Sequence, residues 1–364
     1  MLYAIIMAGG SGTRLWPESR RNCPKQLMTF LGNRSFLQST VDRLRPLVPP
    51  ERIGVVTGER LKDRIAEQLP ELSAGSILVE PCARNTSGCI ALAAIWCLAQ
   101  DPEAVMVLLP SDHVIQPKEA FQETVAQAAE IVRENPEKLV TLGITPTCPA
   151  ETFGYIERGE KGPGNSLTVQ QFREKPDART AAEYLESGNF YWNAGIFVWR
   201  ASTILENLRK YAPGVWKPVE KILKSVNHSD FENVLKSEFP EIENISIDYA
   251  VMEKAAADGN VLVLPAQFEW DDVGSWRALE RHFPHDEAGN TLALAEGTPE
   301  AILLETQNCT VRSTDPGKTL VCYGVENLAV IVTPEVVLVF DRNREESVRE
   351  VVQKLKEMNC EELL

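Results

Sequence analysis

An α/β fold on a mostly parallel sheet is what this 364-residue sequence predicts. Three observations predict it. Short apolar, β-branched runs alternate with longer amphipathic stretches through residues 1–145. Gly, Pro and Asn punctuate the joins. The composition, 44% hydrophobic and 24% charged, is that of an ordinary globular chain able to bury a large core. At roughly 150 residues per domain, the length suits two domains or one enlarged α/β domain with an appendage.

Leu2 to Met7 reads as a buried strand, and Phe36, Leu37, Thr40, Val41 and Leu44 fall on one helical stripe. A strand follows at Ile53 to Thr57, a helix at Arg60 to Leu69 and a strand at Ile77 to Val79. An Ala-rich helix, Thr86 to Leu98, precedes a strand at Val105 to Leu109, a helix at Pro117 to Arg133 and a strand at Leu139 to Leu142. Such βαβ series bind ligands at the carboxyl ends of their strands. After Pro146 the texture changes to turn-rich pieces at Phe153–Glu157, Val169–Lys175 and Asn193–Trp199, read as a second lobe on the same sheet. From His285 onward, Gly289, Gly297, Gly317 and Gly324 punctuate short Val/Leu/Ile strands, and a charged helix from Glu345 to Met358 closes the chain. The boundary is placed at 285, giving domains 1–285 and 286–364. No fixed solenoid period is visible, although the glycine spacing suits a few β-coils.

With 37 Lys and Arg against 52 Asp and Glu, the net charge is −15, which disfavours nucleic acid and acidic membrane surfaces as partners. Residues 1–30 run against that field: Arg14, Arg20, Arg21 and Lys25 face Glu18 alone, which suggests a small anionic ligand. The first strand lacks the basic flank of a secretory signal, and the longest apolar runs fall far short of the ~20 residues a bilayer needs. Eight cysteines without a Cys-x-x-Cys pair read as reduced thiols of a cytoplasmic protein. His282-Phe-Pro-His285 lacks metal-ligand spacing and reads as structural.

Three segments carry chemistry. Gly9-Gly10-Ser11-Gly12-Thr13-Arg14-Leu15 directly follows the first strand, where glycines let backbone N–H groups approach phosphate oxygens and an arginine supplies a forked donor. A Walker A loop needs Gly-Lys-Ser/Thr, and a dinucleotide fingerprint needs glycine where Leu15 stands. Trp16-Pro17 and Asn22-Cys23-Pro24-Lys25 forbid a continuing helix, so the chain wanders and returns Lys25 beside Arg14 as a polyphosphate clamp. The other reading is a tight turn with two solvated cations. Leu109-Pro110-Ser111-Asp112-His113 and Trp270-Asp271-Asp272-Val273-Gly274-Ser275-Trp276 each place a carboxylate at a strand end. One Asp from each suits Mg²⁺, which takes one or two carboxylates plus phosphate oxygens; the other reading of Asp112 or Asp271 is a helix N-cap.

Gly-Gly-Ser-Gly-Thr-Arg-Leu-Trp-Pro with Pro24-Lys25-Gln26 resembles the signature of sugar-nucleotide pyrophosphorylases, in particular the guanylyltransferases acting on mannose 1-phosphate. Glu80-Pro81-x-x-Arg84-Asn85-Thr86, Pro110–His113, Phe153–Glu157, Phe172-x-Glu174-Lys175-Pro176, Trp192–Phe197, Ser246–Glu253 and Trp270–Trp276 agree in order, nearly end to end. The resemblance implies a Rossmann-like nucleotidyltransferase domain followed by a short left-handed β-helix. Longer relatives carry a C-terminal phosphomannose isomerase domain, for which this chain has no room, so only the transferase is implied. The implied reaction joins GTP and mannose 1-phosphate into GDP-mannose and pyrophosphate. The sugar phosphate is already an anionic nucleophile near neutral pH, so no general base is required.

Carried over by motif, Arg14, Lys25, Asp112 and Asp272 are catalytic, the two aspartates holding Mg²⁺. Ala8, Gly9, Gly10, Ser11, Gly12, Thr13, Asn85, Gly88 and Ser111 bind nucleotide, and Gly154, Glu174, Lys175 and Asn193 bind the sugar phosphate. Glu80 is read as the guanine reader, because a carboxylate accepts from adjacent N1–H and N2–H₂ donors that adenine lacks. The alternative is reading by backbone groups near Asn85 and Gly88. The same loop and carboxylates would serve another sugar or base, or a nucleotide-sugar sensor without turnover. The apolar strands after 285 leave room for a homodimer.

Overall fold

The computed structural model describes residues 1–10, 12–344 and 347–364. Two compact units emerge. One comprises residues 1–9, 40–111 and 115–270; the other comprises 10–39, 112–114 and 271–364.

The first unit is built on a nine-stranded sheet. Its spatial order is Ile77–Glu80, Ile53–Gly58, Leu2–Met7, Val105–Pro110, Phe190–Arg200, Leu139–Ile144, Val261–Pro265, Leu167–Glu174, Gly154–Lys161. The first four are parallel; Phe190–Arg200 runs antiparallel between its neighbours, and the last two form an antiparallel hairpin. Leu2–Met7 and Val105–Pro110 are buried almost throughout, which is why they read as unbroken apolar runs rather than alternating ones. Helix Asn85–Gln100 is likewise apolar on nearly every side and sits in the core with Ile204, Leu208 and Val219.

Several elements depart from the sequence expectation. Helix Lys62–Gln68 starts after a 3₁₀ turn, Glu59–Leu61. The turn-rich pieces after Pro146 are parts of long strands. Gly154–Lys161 pairs with Leu167–Glu174 on one side and, through Tyr155–Glu157, with Phe190–Arg200 on the other; its charges fall in the half beyond that second partner, where Arg158, Glu160 and Lys161 are exposed. Strand Val261–Pro265 has no counterpart among the predicted elements, since five apolar residues do not show a period.

In the second unit, Thr291–Leu294, Thr310–Ser313 and Leu328–Val332 stack in parallel, and Ile302–Leu304 pairs with Val321–Tyr323 on a second face. Thr291 lies opposite Thr310, Thr310 opposite Ala329 and Ile302 opposite Val321, each a step of 19 residues. This is a β-helix coil. Its period is hidden in sequence because equivalent positions carry unlike side chains: Ala293, Arg312 and Ile331 stack on one another. The closing helix is Val348–Glu357; the expected start at Glu345 lies outside the described residues.

The loop that follows the first strand folds onto this coil. Arg312 makes two bonds to Glu18, 2.7 and 3.1 Å, and a third to the Thr29 carbonyl at 2.9 Å. Trp16 Nε1 donates to the Leu363 carbonyl at 2.7 Å, and Trp276 Nε1 to the Trp16 carbonyl at 2.9 Å. Leu15, Trp16, Met28 and Phe30 share a core with Trp276, Leu279, Ile331 and Val352. A buried ion pair with every oxygen occupied is costly to break, so this loop has a fixed course.

Candidate active site

Gly12 has φ +56°, and a Cβ there would overlap Lys25 Cβ and lie 3.0 Å from Ser19 Oγ. Only glycine lets the loop and the Pro24-Lys25-Gln26 turn close on each other. Gln26 Nε2 reinforces the closure by donating to the Gly10 carbonyl at 3.2 Å. Lys25, 6% exposed, reaches Asp112 Oδ2 at 2.8 Å, donates to the Asp272 carbonyl and lies over the Phe36 ring at 5.4 Å. Arg14 sits on the short turn Thr13–Leu15. Arg14, Lys25, Asp112 and Asp272 line one cleft of about 350 Å³.

The tandem aspartates diverge sharply. Asp271 accepts from Arg281 Nε and Nη2 at 2.6 and 2.9 Å and from the Val273 N–H at 2.8 Å, and His282 Nε2 lies 2.8 Å from it. Burial works to raise Asp271, but His282 and Arg281 hold it well below the usual carboxylate range. Its bonds shape the turn in which Val273 takes φ +45°, a strained conformation for a β-branched residue. Asp272 is thereby turned into the cleft. Its carboxylate accepts no hydrogen bond among the described residues, and burial, opposed by Lys25 and helped by Asp271, pushes it up. Asp112 moves the other way: burial raises it, but Lys25 and His113 bring it below its ordinary value. A carboxylate without donors beside a second carboxylate fits a divalent cation.

At the other unit's sheet edge, Glu80 ends its strand buried, with Oε1 lacking any partner. Desolvation lifts it to about 7. A Cβ on Gly9 would lie 3.7 Å from Glu80 Oε2, so that glycine leaves the carboxylate room. Asn85 opens helix Asn85–Gln100 in the left-handed region, φ +57°, its side chain bonded to Thr86 N–H at 2.9 Å. Gly88 is buried, and a Cβ there would meet Arg84 Cβ at 2.8 Å and Phe239 at 3.2 Å, so it serves close packing. The Ala8 N–H is engaged by the Val56 carbonyl at 2.8 Å, and the Ser111 N–H by the Met7 carbonyl at 3.1 Å. Gly10 is exposed with open space around it, Thr13 begins the Arg14 turn, and Ser11 lies outside the described residues.

The four residues assigned to the sugar phosphate fall together. Gly154 pairs with Glu174 across the hairpin, and a Cβ on it would stand 2.5 Å from Glu174 Oε2 and 3.5 Å from Asn193 Cβ. Phe153, Trp192 and Trp270 brace this turn, with ring centroids 4.9 and 5.1 Å from Phe153. Lys175 has φ +46° and lies 3.7 Å from Glu174 Oε1. Glu174 is pushed up by burial first and then by Asp248, with Lys175 opposing. Gly154→Ala is expected to raise KM for the sugar phosphate at least about tenfold while KM for the nucleotide stays put, because the added methyl displaces Glu174. Steady-state titration of each substrate checks this.

The sequence reading missed three residues. His113 and Arg349 line the cleft of Arg14 and Lys25, Arg349 coming from the closing helix. Asp248 bonds Asn193 at 2.9 Å. Asp248 and His113 each lie within a family-like segment, Ser246–Glu253 and Pro110–His113, which is the signal that could have found them; Arg349 had none.

Two cations and two carboxylates lining one cleft suit phosphoryl chemistry, and the chain is a nucleotidyltransferase: the Nucleotidyl transferase family profile matches residues 3–289. The MannoseP isomerase/GMP-like beta-helix domain matches 299–355. The chain belongs to the mannose-1-phosphate guanylyltransferase family. It is 38% identical over 363 residues to a mannose-1-phosphate guanylyltransferase of Klebsiella pneumoniae, spanning 98% of this chain and 74% of that protein. It is 40% identical over 355 residues to the xanthan biosynthesis protein XanB of Xanthomonas campestris pv. campestris, spanning 97% and 73%. A crystal structure of a mannose-1-phosphate geranyltransferase from Thermus thermophilus superposes with TM-score 0.86 at 35% identity, covering 98% of this chain and 99% of that one.

Proposed function

We infer that this chain transfers GMP from GTP to mannose 1-phosphate, giving GDP-mannose and pyrophosphate. The observation that carries the mechanism is the meeting of Arg14, Lys25, Asp112 and Asp272 in one cleft. A phosphate oxygen of the sugar forms the new bond to the α-phosphorus of GTP, and the bond from that phosphorus to the bridging oxygen breaks, releasing pyrophosphate in line. Both reactants are anions, so the main work is offsetting charge. Arg14 offers a bidentate fork to phosphate oxygens, and Lys25 a buried ammonium held on Asp112 and the Asp272 carbonyl before substrate arrives. Asp112 and Asp272 would hold Mg²⁺, which supplies neutralisation of the phosphate charge when bound. Glu80 reads guanine through its two oxygens. Glu174, Asn193 and the Gly154 turn bind the sugar, with Lys175 for its phosphate.

The catalytic domain is proposed as 1–285 and the β-helix domain as 286–364, the two family matches ending at 289 and beginning at 299. The exposed Ile302, Leu304, Val321 and Tyr323 form paired rows on one β-helix face, which supports a homodimer through that face. None of the eight cysteines is in a disulfide among the described residues, which suits the cytoplasm, and no helix of the described residues is long and apolar enough to cross a membrane.

The test is pyrophosphate release from four NTPs against several sugar 1-phosphates. GTP with mannose 1-phosphate is expected to give the highest kcat/KM. A higher value with another sugar or base sinks the assignment of substrate, and binding without pyrophosphate release would make the chain a sensor.

A further inference from the structure

Three bonds hold Asn193, and their directions decide what it can offer a ligand. Its Oδ1 accepts from the Gly195 backbone N–H at 3.1 Å, and the Thr141 hydroxyl lies 3.4 Å from it with its single hydrogen shared with the Ile196 carbonyl at 3.3 Å. Its Nδ2 donates to Asp248 Oδ1 at 2.9 Å. An amide nitrogen carries two hydrogens, so one remains, while the carbonyl oxygen is already held by the Gly195 N–H. Glu174, across the Gly154 gap, presents a carboxylate and accepts. Together they form one donor and one acceptor facing a common ligand.

Asp248 itself has a fixed place. It opens a five-residue π-helical turn, Asp248–Met252, a widening of the helix that recurs at functional sites. Ala250, Val251 and Met252 of that turn are buried. The residue before it is anchored as well, the Ile247 N–H donating to Thr86 Oγ1 at 2.8 Å.

We propose that Asp248 is the positioning residue for sugar discrimination: it holds the Asn193 amide so that its free N–H meets one sugar hydroxyl while Glu174 takes another. The proposal rests on the reading of Glu174 and Asn193 as sugar ligands. Hexose 1-phosphates epimeric at C2 share size, charge and phosphate, and differ only in the direction of one hydroxyl. An amide free to turn over presents either its oxygen or its nitrogen and accommodates both epimers. A fixed amide suits one and leaves a polar group unpaired against the other, the kind of mismatch that discriminates strongly.

The test is steady-state kinetics of the full chain with mannose 1-phosphate, glucose 1-phosphate and GTP, for wild type, Asp248→Ala and Asp248→Asn. Asp248→Ala is expected to raise KM for mannose 1-phosphate and to lower the mannose-over-glucose ratio of kcat/KM by about tenfold, with KM for GTP within about twofold. Asp248→Asn keeps an acceptor oxygen and is expected to restore the ratio to within about threefold. Equal losses with both sugars, or a parallel rise in KM for GTP, would overturn the proposal, since that is what general damage does. Should Asp248→Ala fail to fold, Asp248→Leu, close in shape and without an acceptor, is measured against the same outcomes. A wild type that does not turn over mannose 1-phosphate defeats the functional reading itself; a discriminating wild type with an unchanged variant ratio defeats only the role of Asp248.

Discussion

Asp272→Asn is expected to lower kcat by about three orders of magnitude and to leave the fold intact. The substitution removes one charge from a carboxylate that accepts no hydrogen bond among the described residues and keeps its size, so the turn that carries it is expected to stand. Its neighbour behaves oppositely. Asp271→Asn breaks the bonds to Arg281 and His282 and is expected to cost about 2 kcal/mol of stability, less than a fully buried pair because Arg281 is 53% exposed. Its kcat is expected to stay within about fivefold, since Asn still accepts from the Val273 N–H. Asp271 is depressed in the folded state, so the stability it lends is present above the ordinary carboxylate range and is lost as pH falls below about 4. The melting gap between wild type and Asp271→Asn is therefore expected to narrow below that pH. Matching losses of kcat at 271 and 272 would defeat the assignment.

Glu80→Gln is expected to reduce kcat/KM for GTP by about a hundredfold and to flatten the preference for GTP over ITP. Glutamine accepts from N1–H but sets its own NH₂ against the guanine amino group. ITP lacks that group, so the variant loses less with ITP than with GTP. A pH profile adds an independent readout. Glu80 is raised to about 7 in the free protein, and guanine's donors favour its ionised form. GTP binding is thus expected to release a proton near neutrality, and kcat/KM for GTP to fall about tenfold per pH unit below about 7, with that slope absent in Glu80→Gln. An unchanged ratio of GTP to ITP in the variant would remove Glu80 from base recognition.

The strands Leu2–Met7, Ile53–Gly58 and Val105–Pro110 were legible because double-sided burial demands continuous apolar runs. The glycine loop was legible because close approach to Lys25 leaves no alternative residue at Gly12. Chemistry alone left Asp271 and Asp272 undivided, and the family resemblance chose between them; the physical reason is that Arg281 and His282, ten and eleven residues on, claim the first. Gly88 has Arg84 Cβ at 2.8 Å and Phe239 at 3.2 Å from the place of a Cβ, the second far along the chain and so invisible to a local pattern. Arg349 enters the cleft from the closing helix, a placement no local pattern announces. The 19-residue coil step escaped because stacking repeats the backbone, not the side chains.

The Glu18–Arg312 pair has a bearing on how such chains recombine. Arg14 and Lys25 lie on a loop whose course is set by residues near the other end of the polypeptide. A cassette exchange that swapped the coil after residue 285 alone would import a foreign partner for Glu18 and unseat the loop that carries Arg14 and Lys25. Productive chimeras must carry residues 10–39 together with the coil, so the unit of inheritance here is discontinuous in the gene although compact in space.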